Sequence, residues 1–260
     1  MSERSGLASL SAVPEKIQLH VKRQDTPASS PYWEDYEIPY QPRQNVVSVL
    51  MEIAKDPKTR EGKPTSPVVY DRACLEEVCG SCAMRINGVS RMACTALIDS
   101  LEQPIRLEPM ARFPVERDLS VDRRVMFESL KRVKAWIPID GTYDLGPGPR
   151  MPEAERQVAY EYSKCITCGN CLDVCPQVND RSSFIGAAAI AQARLFNSHP
   201  TGVMNAAERL EALMAEGGID DCGNAQNCVR ACPKSIPLTT AIAEMYRDTT
   251  RHGIKKLFAT

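Results

Sequence analysis

The chain has 260 residues, and its 32 lysines and arginines are nearly balanced by 33 aspartates and glutamates. This balance excludes the strongly basic composition typical of nucleic-acid-binding proteins, so no nucleic-acid partner is expected. No apolar run approaches the roughly 18 residues needed to cross a bilayer. The polar stretch at residues 1–10 lacks the apolar segment of a secretion signal. These features predict a soluble chain, either free or docked on a membrane partner.

The first half of the chain has the pattern of a mixed sheet with one crossing helix. Apolar residues alternate with polar ones in two segments, as in half-buried strands, and these residues are Ile17, Leu19 and Val21, then Tyr36, Ile38 and Tyr40. Between these segments and the cysteines, Asn45 is a candidate cap for a short helix. The apolar face of that helix would carry Val46, Val49, Leu50 and Ile53.

Three further extended segments follow. Residues 67–70 form a short apolar run, and residues 105–107 are the expected last strand. Asn87-Gly88 separates Ala83–Ile86 from Val89–Met92, which predicts a hairpin with a two-residue turn.

The second half has a helical pattern. Residues 138–152 contain Gly146-Pro147-Gly148-Pro149 and predict a loop between two domains. These glycines lack the spacing and the preceding strand of a dinucleotide-binding fingerprint, so no such site is expected. Helices are predicted over residues 184–197, 205–216 and 239–250, and the cysteines lie in the loops between them.

The eleven cysteines form three tight groups separated by long stretches without one. They are Cys74, Cys79, Cys82 and Cys94, then Cys165, Cys168, Cys171 and Cys175, then Cys222, Cys228 and Cys232. An odd number of cysteines in tight groups, without a secretion signal, favours metal chemistry in a reducing compartment over disulfides.

The first group has the C-x4-C-x2-C…C spacing of a plant-type [2Fe–2S] site. Four thiolates must converge on two irons, and small residues such as Gly80 and Ser81 let backbone N–H groups turn towards the sulfurs. A structural zinc site is the alternative, but zinc usually takes two short cysteine pairs, and only Cys79 and Cys82 form one here.

The second and third groups are two copies of one motif. Cys165-x2-Cys168-x2-Cys171-x3-Cys175-Pro176 is the bacterial ferredoxin run, in which the fourth cysteine binds the other cluster. The same offsets from Cys222 give Ala225, Cys228 and Cys232-Pro233, so alanine replaces one cysteine.

This substitution predicts how the cysteines divide. A [4Fe–4S] cluster would take Cys165, Cys168, Cys171 and the crossing residue Cys232. The remaining thiols predict a [3Fe–4S] cluster on Cys175, Cys222 and Cys228, because alanine has no lone pair for a fourth iron. Four, four and three ligands use all eleven cysteines as iron ligands. An alternative keeps four irons, with water or hydroxide at the open corner.

Other conspicuous residues are given structural roles. None of the histidines, His20, His199 and His252, adjoins a cysteine group, which argues against Rieske-type ligation. Trp33 and Trp136 are expected in a core or an interface. The arginine-rich residues 117–132 are expected to form a solvated helix face.

Three one-electron centres without a flavin or nicotinamide motif predict an electron-transfer chain with no catalytic residue of its own. The order of the clusters resembles that of the iron–sulfur subunits of the succinate dehydrogenase and fumarate reductase family. The segment CLEEVCGSCAM, from Cys74 to Met84, is similar to the first signature of that family, and the runs ending at Pro176 and Pro233 are similar to the second and third.

The resemblance implies an α+β fold, with a β-grasp [2Fe–2S] ferredoxin-like domain at residues 1–137 and an all-α ferredoxin-like domain at 138–260. A flavoprotein subunit would oxidise succinate at covalently bound FAD, and electrons would leave for a quinone held by an integral-membrane anchor. This chain would carry electrons as a subunit of succinate dehydrogenase (respiratory complex II, in the tricarboxylic acid cycle) and would not bind succinate. A location on the cytoplasmic face of a bacterial membrane is expected.

Two residues depart from the ubiquinone-using members of that family. Those members carry aromatic residues soon after the proline of the second group, whereas Gln177 follows Pro176 here. They also carry histidine after the first cysteine of the third group, where this chain has Gly223. Both differences favour menaquinone.

Three alternatives remain open. The same centres would serve a quinol:fumarate reductase running in reverse. Another quinone-linked dehydrogenase would carry two [4Fe–4S] clusters, against which Ala225 argues. A zinc-stabilised interaction module would be colourless.

Overall fold

The computed structural model describes residues 15–137 and 149–258. The stretch at residues 1–10 and most of the expected linker at 138–152 lie outside the described residues. In the first half, the elements are β1 (Lys16–Arg23), β2 (Tyr32–Pro39), α1 (Val46–Lys55), β3 (Ala83–Ile86), β4 (Val89–Met92), β5 (Ile105–Glu108), β6 (Val115–Arg117), β7 (Ser120–Val121) and α2 (Arg124–Arg132). In the second half they are α3 (Glu153–Ser163), α4 (Asn170–Asp173), α5 (Gly186–Ser198), α6 (Ala206–Met214), α7 (Asn227–Ala231) and α8 (Leu238–Phe258).

A five-stranded mixed sheet forms the centre of the first half, in the order β2-β1-β5-β3-β4. Strands β1 and β5 are parallel, and their neighbours pair antiparallel. The alternation predicted for β1 is confirmed, because Ile17, Leu19 and Val21 are all buried. Helix α1 starts as predicted, with the Asn45 side chain accepting a hydrogen bond from the Ser48 N–H at 2.9 Å. The sheet and its crossing helix confirm the predicted β-grasp domain.

The hairpin predicted at Asn87-Gly88 joins β3 and β4. Both turn residues have positive φ, +49° and +79°, as the favoured two-residue hairpin turns require. Asn87 also ties this turn to the next strand, because its side-chain oxygen accepts a hydrogen bond from the Arg106 N–H at 2.7 Å. This second role explains how the hairpin is held beside β5.

Two strand predictions are corrected. Residues 67–70 pair with no strand of the sheet. Instead, the Val69 N–H donates to the Asp118 carboxylate at 2.9 Å, and the Val69 carbonyl accepts from the Leu119 N–H at 3.0 Å. Strand β5 is also not the last strand, because the small β6–β7 hairpin follows it.

The solvated helix face predicted over residues 117–132 is wrong for its first part, since the helix begins only at Arg124. Asp118 has a positive φ of +49° and lies in the turn between β6 and β7. Its carboxylate is buried and accepts a hydrogen bond from Arg23 Nε at 2.9 Å. A buried ion pair, which sequence spacing does not reveal, therefore replaces the solvated charges.

The second half is helical, as predicted, and α5 lies at its centre. The alanine-rich helix predicted at 184–197 is α5, whose alanines are largely buried against α8 and the cysteine loops. The other two predicted helices are α6 and α8, and α8 extends eight residues beyond the predicted end at 250. Helices α3, α4 and α7 were not predicted. No helix in the described ranges combines the length and apolar character of a membrane span.

The end of the first half packs on the second half. Val133 lies in one apolar cluster with residues of α5, α6 and α8. Arg209 of α6 is fully buried and donates to the carbonyl groups of Lys134 and Trp136, at 2.9 and 2.7 Å. The domain boundary at 137/138 stays a prediction, because residues 138–148 lie outside the described chain.

Candidate iron–sulfur centres

The first cysteine group lies beside the sheet. Cys74, Cys79 and Cys82 are on the loop before β3, and Cys94 follows β4. The loop bends through positive φ angles at Leu75, Glu77 and Gly80. These angles turn its backbone N–H groups towards the cysteines.

Three of these N–H groups donate to cysteine sulfurs, as expected for a cluster loop. The Glu76 and Val78 N–H groups donate to Cys74 Sγ at 3.4 and 3.3 Å, and the Ser81 N–H donates to Cys79 Sγ at 3.5 Å. Such bonds stabilise negative charge on sulfur.

The thiols of the first group also interact with one another. Hydrogen bonds from Cys74 and Ser81 lower the pKa of Cys79 to about 6. Burial, together with the hydrogen bond and charge of Cys82, raises the pKa of Cys94 to about 12. The charge of Cys74 acts on Cys94 as well. The structure therefore brings the four predicted ligands together.

The second predicted set also converges, although one member is distant in sequence. Cys165, Cys168, Cys171 and Cys232 border one cavity. Burial raises the pKa of Cys168 to about 11, and the charges of Cys165 and Cys232 add to this shift. The predicted crossing of Cys232 to the first copy of the motif is thus present in the fold.

A separate cavity brings together the three remaining thiols. Cys175, Cys222 and Cys228 border it, and so does Ala225. Burial raises the pKa of Cys228, and the charges of Cys175 and Cys222 act in the same direction. The side chain of Ala225, at the second position of this copy of the motif, presents no metal-binding atom to this cavity.

The backbone repeats the internal duplication of the sequence. Thr167 and Gly169 have positive φ in the first copy, and Asn224 and Gln226 have it at the same offsets in the second. A short helix follows each pair, α4 in one copy and α7 in the other. The two loops are therefore built alike, and each contributes one cysteine to the other's cavity.

Iron–sulfur clusters fit this donor set. No three histidine, cysteine or carboxylate side chains in the described ranges are placed to hold a single metal ion. The cysteines of the second and third groups surround cavities instead. Cys-lined cavities with inward backbone donors are the surroundings that clusters need. The ligand assignment itself stays a prediction.

The histidines make contacts away from the cysteines. His20 stacks on Trp33 with ring centroids 4.2 Å apart, and its Nδ1 lies 2.7 Å from the Asp35 carboxylate. His199 Nδ1 accepts hydrogen bonds from two backbone N–H groups, and His252 lies 3.5 Å from Glu211. These contacts are structural.

Two residues make polar contacts near the cysteine groups that sequence analysis did not predict. Arg123 donates to the carbonyl groups of Gly80 and Ser81 in the first cysteine loop. Asp173 of α4 accepts hydrogen bonds from the Ser90 hydroxyl and, at 3.1 Å, from the Arg112 N–H. Both join segments more than 40 residues apart, so no local pattern marks them.

Two family models match the two halves. A "2Fe-2S iron-sulfur cluster binding domain" matches residues 18–128, and a "4Fe-4S dicluster domain" matches residues 161–236. Each match encloses the corresponding cysteine groups.

Known proteins are similar to this chain over most of its length. The chain is 63% identical over 244 residues to the succinate dehydrogenase iron-sulfur subunit of Bacillus subtilis, covering 94% of this chain and 96% of the relative. It is 34% identical to the fumarate reductase iron-sulfur subunit of Mycobacterium tuberculosis, covering 88% and 90%. In fold, it matches a chain of the Mycobacterium smegmatis Sdh1 complex in the apo form, with a TM-score of 0.77, 24% identity, and coverage of 92% and 97%. The chain therefore belongs to the family of succinate dehydrogenase and fumarate reductase iron–sulfur subunits.

Proposed function

We propose that this chain is the electron-transfer subunit of a succinate dehydrogenase, carrying single electrons from a flavoprotein subunit with FAD to a membrane quinone. The observation that carries this function is the convergence of the cysteines in a member of this family, with Cys165, Cys168, Cys171 and Cys232 bordering one cavity and Cys175, Cys222 and Cys228 another. When bound, the three clusters supply one-electron acceptors of different potential. The substrate succinate would bind to the flavoprotein subunit.

The protein's own residues would hold the clusters. The [2Fe–2S] cluster is assigned to Cys74, Cys79, Cys82 and Cys94. The [4Fe–4S] cluster is assigned to Cys165, Cys168, Cys171 and Cys232, and the [3Fe–4S] cluster to Cys175, Cys222 and Cys228. The loop N–H groups at Cys74 and Cys79 would stabilise the reduced, more negative first cluster.

The packing of the loops supports a linear order of the three centres. Gly80 of the first group packs on the backbone of Cys168 in the second, where an added Cβ atom would lie 3.0 Å from the Cys168 Cα. Within the second half, the charge of Cys228 contributes to the raised pKa of Cys171, so the second and third sets are neighbours. The second set therefore lies between the other two.

Succinate oxidation is the favoured direction, because the relative with 63% identity is a succinate dehydrogenase subunit. The alternative is a quinol:fumarate reductase, which the relatives named fumarate reductase support at 30 to 34% identity. Comparing the rates of succinate oxidation and fumarate reduction in the intact complex separates the two. Faster fumarate reduction with a low-potential quinol would contradict the favoured direction.

Menaquinone is the proposed acceptor, held with an integral-membrane anchor subunit. Gln177 and Gly223 border the cavity of the third group. An added Cβ atom on Gly223 would lie 2.5 Å from Gln177 Nε2, so Gln177 fills the space that a side chain at 223 needs. The two departures from the ubiquinone pattern are thus neighbours at this cavity. Quinone extraction from the purified complex should yield menaquinone, and finding only ubiquinone would contradict this assignment.

The complex is proposed to sit on the cytoplasmic face of a bacterial membrane, with this chain as a peripheral subunit. Protease treatment of intact spheroplasts should leave the chain whole, and inverted vesicles should expose it. Cleavage in spheroplasts would place it on the other face.

Low-temperature EPR of the anaerobically purified complex tests the cluster content. The oxidised sample should show a narrow [3Fe–4S] signal that vanishes with dithionite, while a reduced [2Fe–2S] signal appears. An oxidised sample without a signal, with two [4Fe–4S] clusters after reduction, would refute the role given to Ala225. A colourless protein with stoichiometric zinc would refute the function.

The third group has a direct test by substitution. Ala225→Cys restores the cysteine that the duplicated motif lacks, so the variant should hold four irons at this site. The narrow signal of the oxidised protein should then be lost. Ala231→Cys, in the same region but outside the motif positions, is the control and should keep that signal.

A further inference from the structure

Arg123 lies against the first cysteine loop. Its Nη1 donates to the Gly80 carbonyl at 2.6 Å, and its Nη2 donates to the Ser81 carbonyl. One planar guanidinium therefore holds two consecutive peptide groups of the loop. A fork of this kind fixes both the position and the orientation of what it binds.

The first of these peptide groups also faces a cysteine sulfur. The Gly80 carbonyl and the Ser81 N–H belong to one planar trans peptide, so they point in opposite directions. Arg123 binds the carbonyl end, and the N–H end donates to Cys79 Sγ at 3.5 Å. The guanidinium thus aims this N–H at the sulfur and polarises it, because linked hydrogen bonds strengthen one another.

Among the residues that the structure describes, no carboxylate forms an ion pair with Arg123. In the described part of the chain, no Asp or Glu hydrogen-bonds to it, and its Nε is buried without a partner. Asp71 acts on it through space, but that carboxylate accepts its hydrogen bonds from the Ser120 hydroxyl, at 3.1 and 3.2 Å. The positive charge of Arg123 is therefore not neutralised by a hydrogen-bonded carboxylate, and it can act on the negatively charged cluster of the first cysteine group.

Arg123 also lies where the first and second cysteine loops meet. A Cβ atom on Gly80 would collide with the Ile166 carbonyl and lie 3.1 Å from the Cys168 nitrogen. Met126, one turn after Arg123, borders the cavity of the second group. The start of α2 thus contacts both loops at their junction.

We propose that Arg123 is a positioning residue that raises the reduction potential of the cluster held by the first cysteine group and fixes this loop against the second. The proposal rests on the proposed function, since it requires a [2Fe–2S] cluster on Cys74, Cys79, Cys82 and Cys94. Reduction adds one electron there, and no bond forms or breaks. Both the positive charge and the aimed Ser81 N–H stabilise the added negative charge.

The test is a redox titration of the intact complex followed by EPR, with dithionite as reductant. Arg123→Gln should lower the ratio of reduced to oxidised [2Fe–2S] cluster about tenfold at a fixed potential, a shift of about 59 mV to more negative values for a one-electron couple. Arg123→Lys keeps the charge but loses the fork, so it should shift the potential in the same direction by less than Arg123→Gln does. Arg124→Gln is the matched control and should not shift it, because Arg124 is exposed and pairs with Asp122.

The narrow signal of the third group serves as an internal standard for an assembled complex. A wild-type potential in Arg123→Gln would overturn the proposal, and so would an equal shift in the Gln and Lys variants. If Arg123→Gln loses the [2Fe–2S] cluster, a shift of less than tenfold in Arg123→Lys supports the proposal and a shift of tenfold or more overturns it. Absence of a [2Fe–2S] signal from the wild-type complex would instead refute the proposed function.

Discussion

The two halves of the molecule differ in what fills the centre of their packing. In the first half, the sheet and α1 form one large core of mostly aliphatic side chains, which includes Cys82 and Cys94 and extends to Cys168. In the second half, the apolar clusters are smaller and the cysteines are part of their walls, with Cys175 and Cys222 in one cluster and Cys165 and Cys232 among those in the other. Cysteines are therefore a small part of the large core of the first half, whereas they form much of the walls of the two smaller clusters, so the packing of the second half should depend more on the groups that its cysteines hold.

The two halves also differ in how far apart in sequence the cysteines of one set lie. All four cysteines of the first group lie within 21 residues of one another, beside a hairpin that forms locally. In the second half, Cys232 borders the same cavity as Cys165, 67 residues away, and Cys175 borders the same cavity as Cys222, 47 residues away. The proposed ligand sets would tie the two copies of the motif together, so iron binding and folding should be coupled there.

Of the changes considered, removal of iron should produce the largest difference between the two halves. After anaerobic chelation, amide exchange protection should disappear from α5, α7 and α8, while strands β1 and β5 remain protected. The loss should approach the whole stability of a domain, about 5–15 kcal/mol. Hydrogen-exchange mass spectrometry of the two forms measures this, and equal loss in both halves would contradict the comparison.

The second prediction concerns a charge buried within the first half. Burial lowers the pKa of Arg23, but the hydrogen bond and charge of Asp118 outweigh this, so the pKa is raised overall. Arg23→Met leaves the Asp118 carboxylate buried without its partner, which should cost about 3–5 kcal/mol. Urea unfolding of the β-sheet half, followed by its far-UV signal, measures the change.

The matched control for Arg23 is an exposed ion pair in the same half. Arg60 lies 3.6 Å from Asp35, and both side chains are exposed to solvent. Arg60→Met should therefore cost less than about 1 kcal/mol. Similar losses in the two variants would show that the Arg23 cluster contributes little more than a surface pair.

Sequence reasoning succeeded where the determinants are local. The Asn87-Gly88 turn, the Asn45 cap and the periodic face of α1 are set by neighbouring residues, and the structure has all three. The positions of Cys175 and Cys232, each at the cavity of the other copy, also agree with the duplicated spacing, while the ligand sets themselves stay a prediction. The number of residues between cysteines in the two copies thus indicated contacts between residues that are distant in sequence.

The failures share a different cause. Arg23 and Asp118 are 95 residues apart, and Arg123 is 43 residues from Gly80. In sequence, each of these charges looks like a solvated one, since only the folded chain brings its partner near. The strand prediction for residues 67–70 was wrong for the same reason, because their backbone partners lie on the β6–β7 turn rather than on a strand of the sheet.

The third prediction addresses the link between the halves. The Ser90 hydroxyl donates to the buried carboxylate of Asp173, which joins β4 to α4. Ser90→Ala should cost about 1.5–3 kcal/mol, the usual range for a hydrogen bond to a charged group. Ser100→Ala, at an exposed hydroxyl that bonds the Leu97 carbonyl, should change stability by less than about 0.5 kcal/mol.

The measurement for Ser90 is the thermal unfolding of the iron-loaded protein. If the contact stabilises the second half, the midpoint temperature of the iron-dependent transition should fall. The order in which the two halves unfold should stay the same. An unchanged transition in Ser90→Ala would show that the cluster loops dock without this bond.

The smallest expected effect is the loss of the cap of α1, and it tests whether the halves unfold separately. Asn45→Ala removes the oxygen that accepts the Ser48 N–H at 2.9 Å and should cost about 1 kcal/mol. Ser48→Ala keeps that N–H and removes only the hydroxyl that bonds Asn45 at 3.1 Å, so it should cost less. In urea, the transition of the first half should shift in Asn45→Ala, whereas the iron-dependent transition should not. If both transitions move together, the sheet and the cluster-bearing helices unfold as one unit. The aliphatic core would then depend on the clusters as much as the helices do.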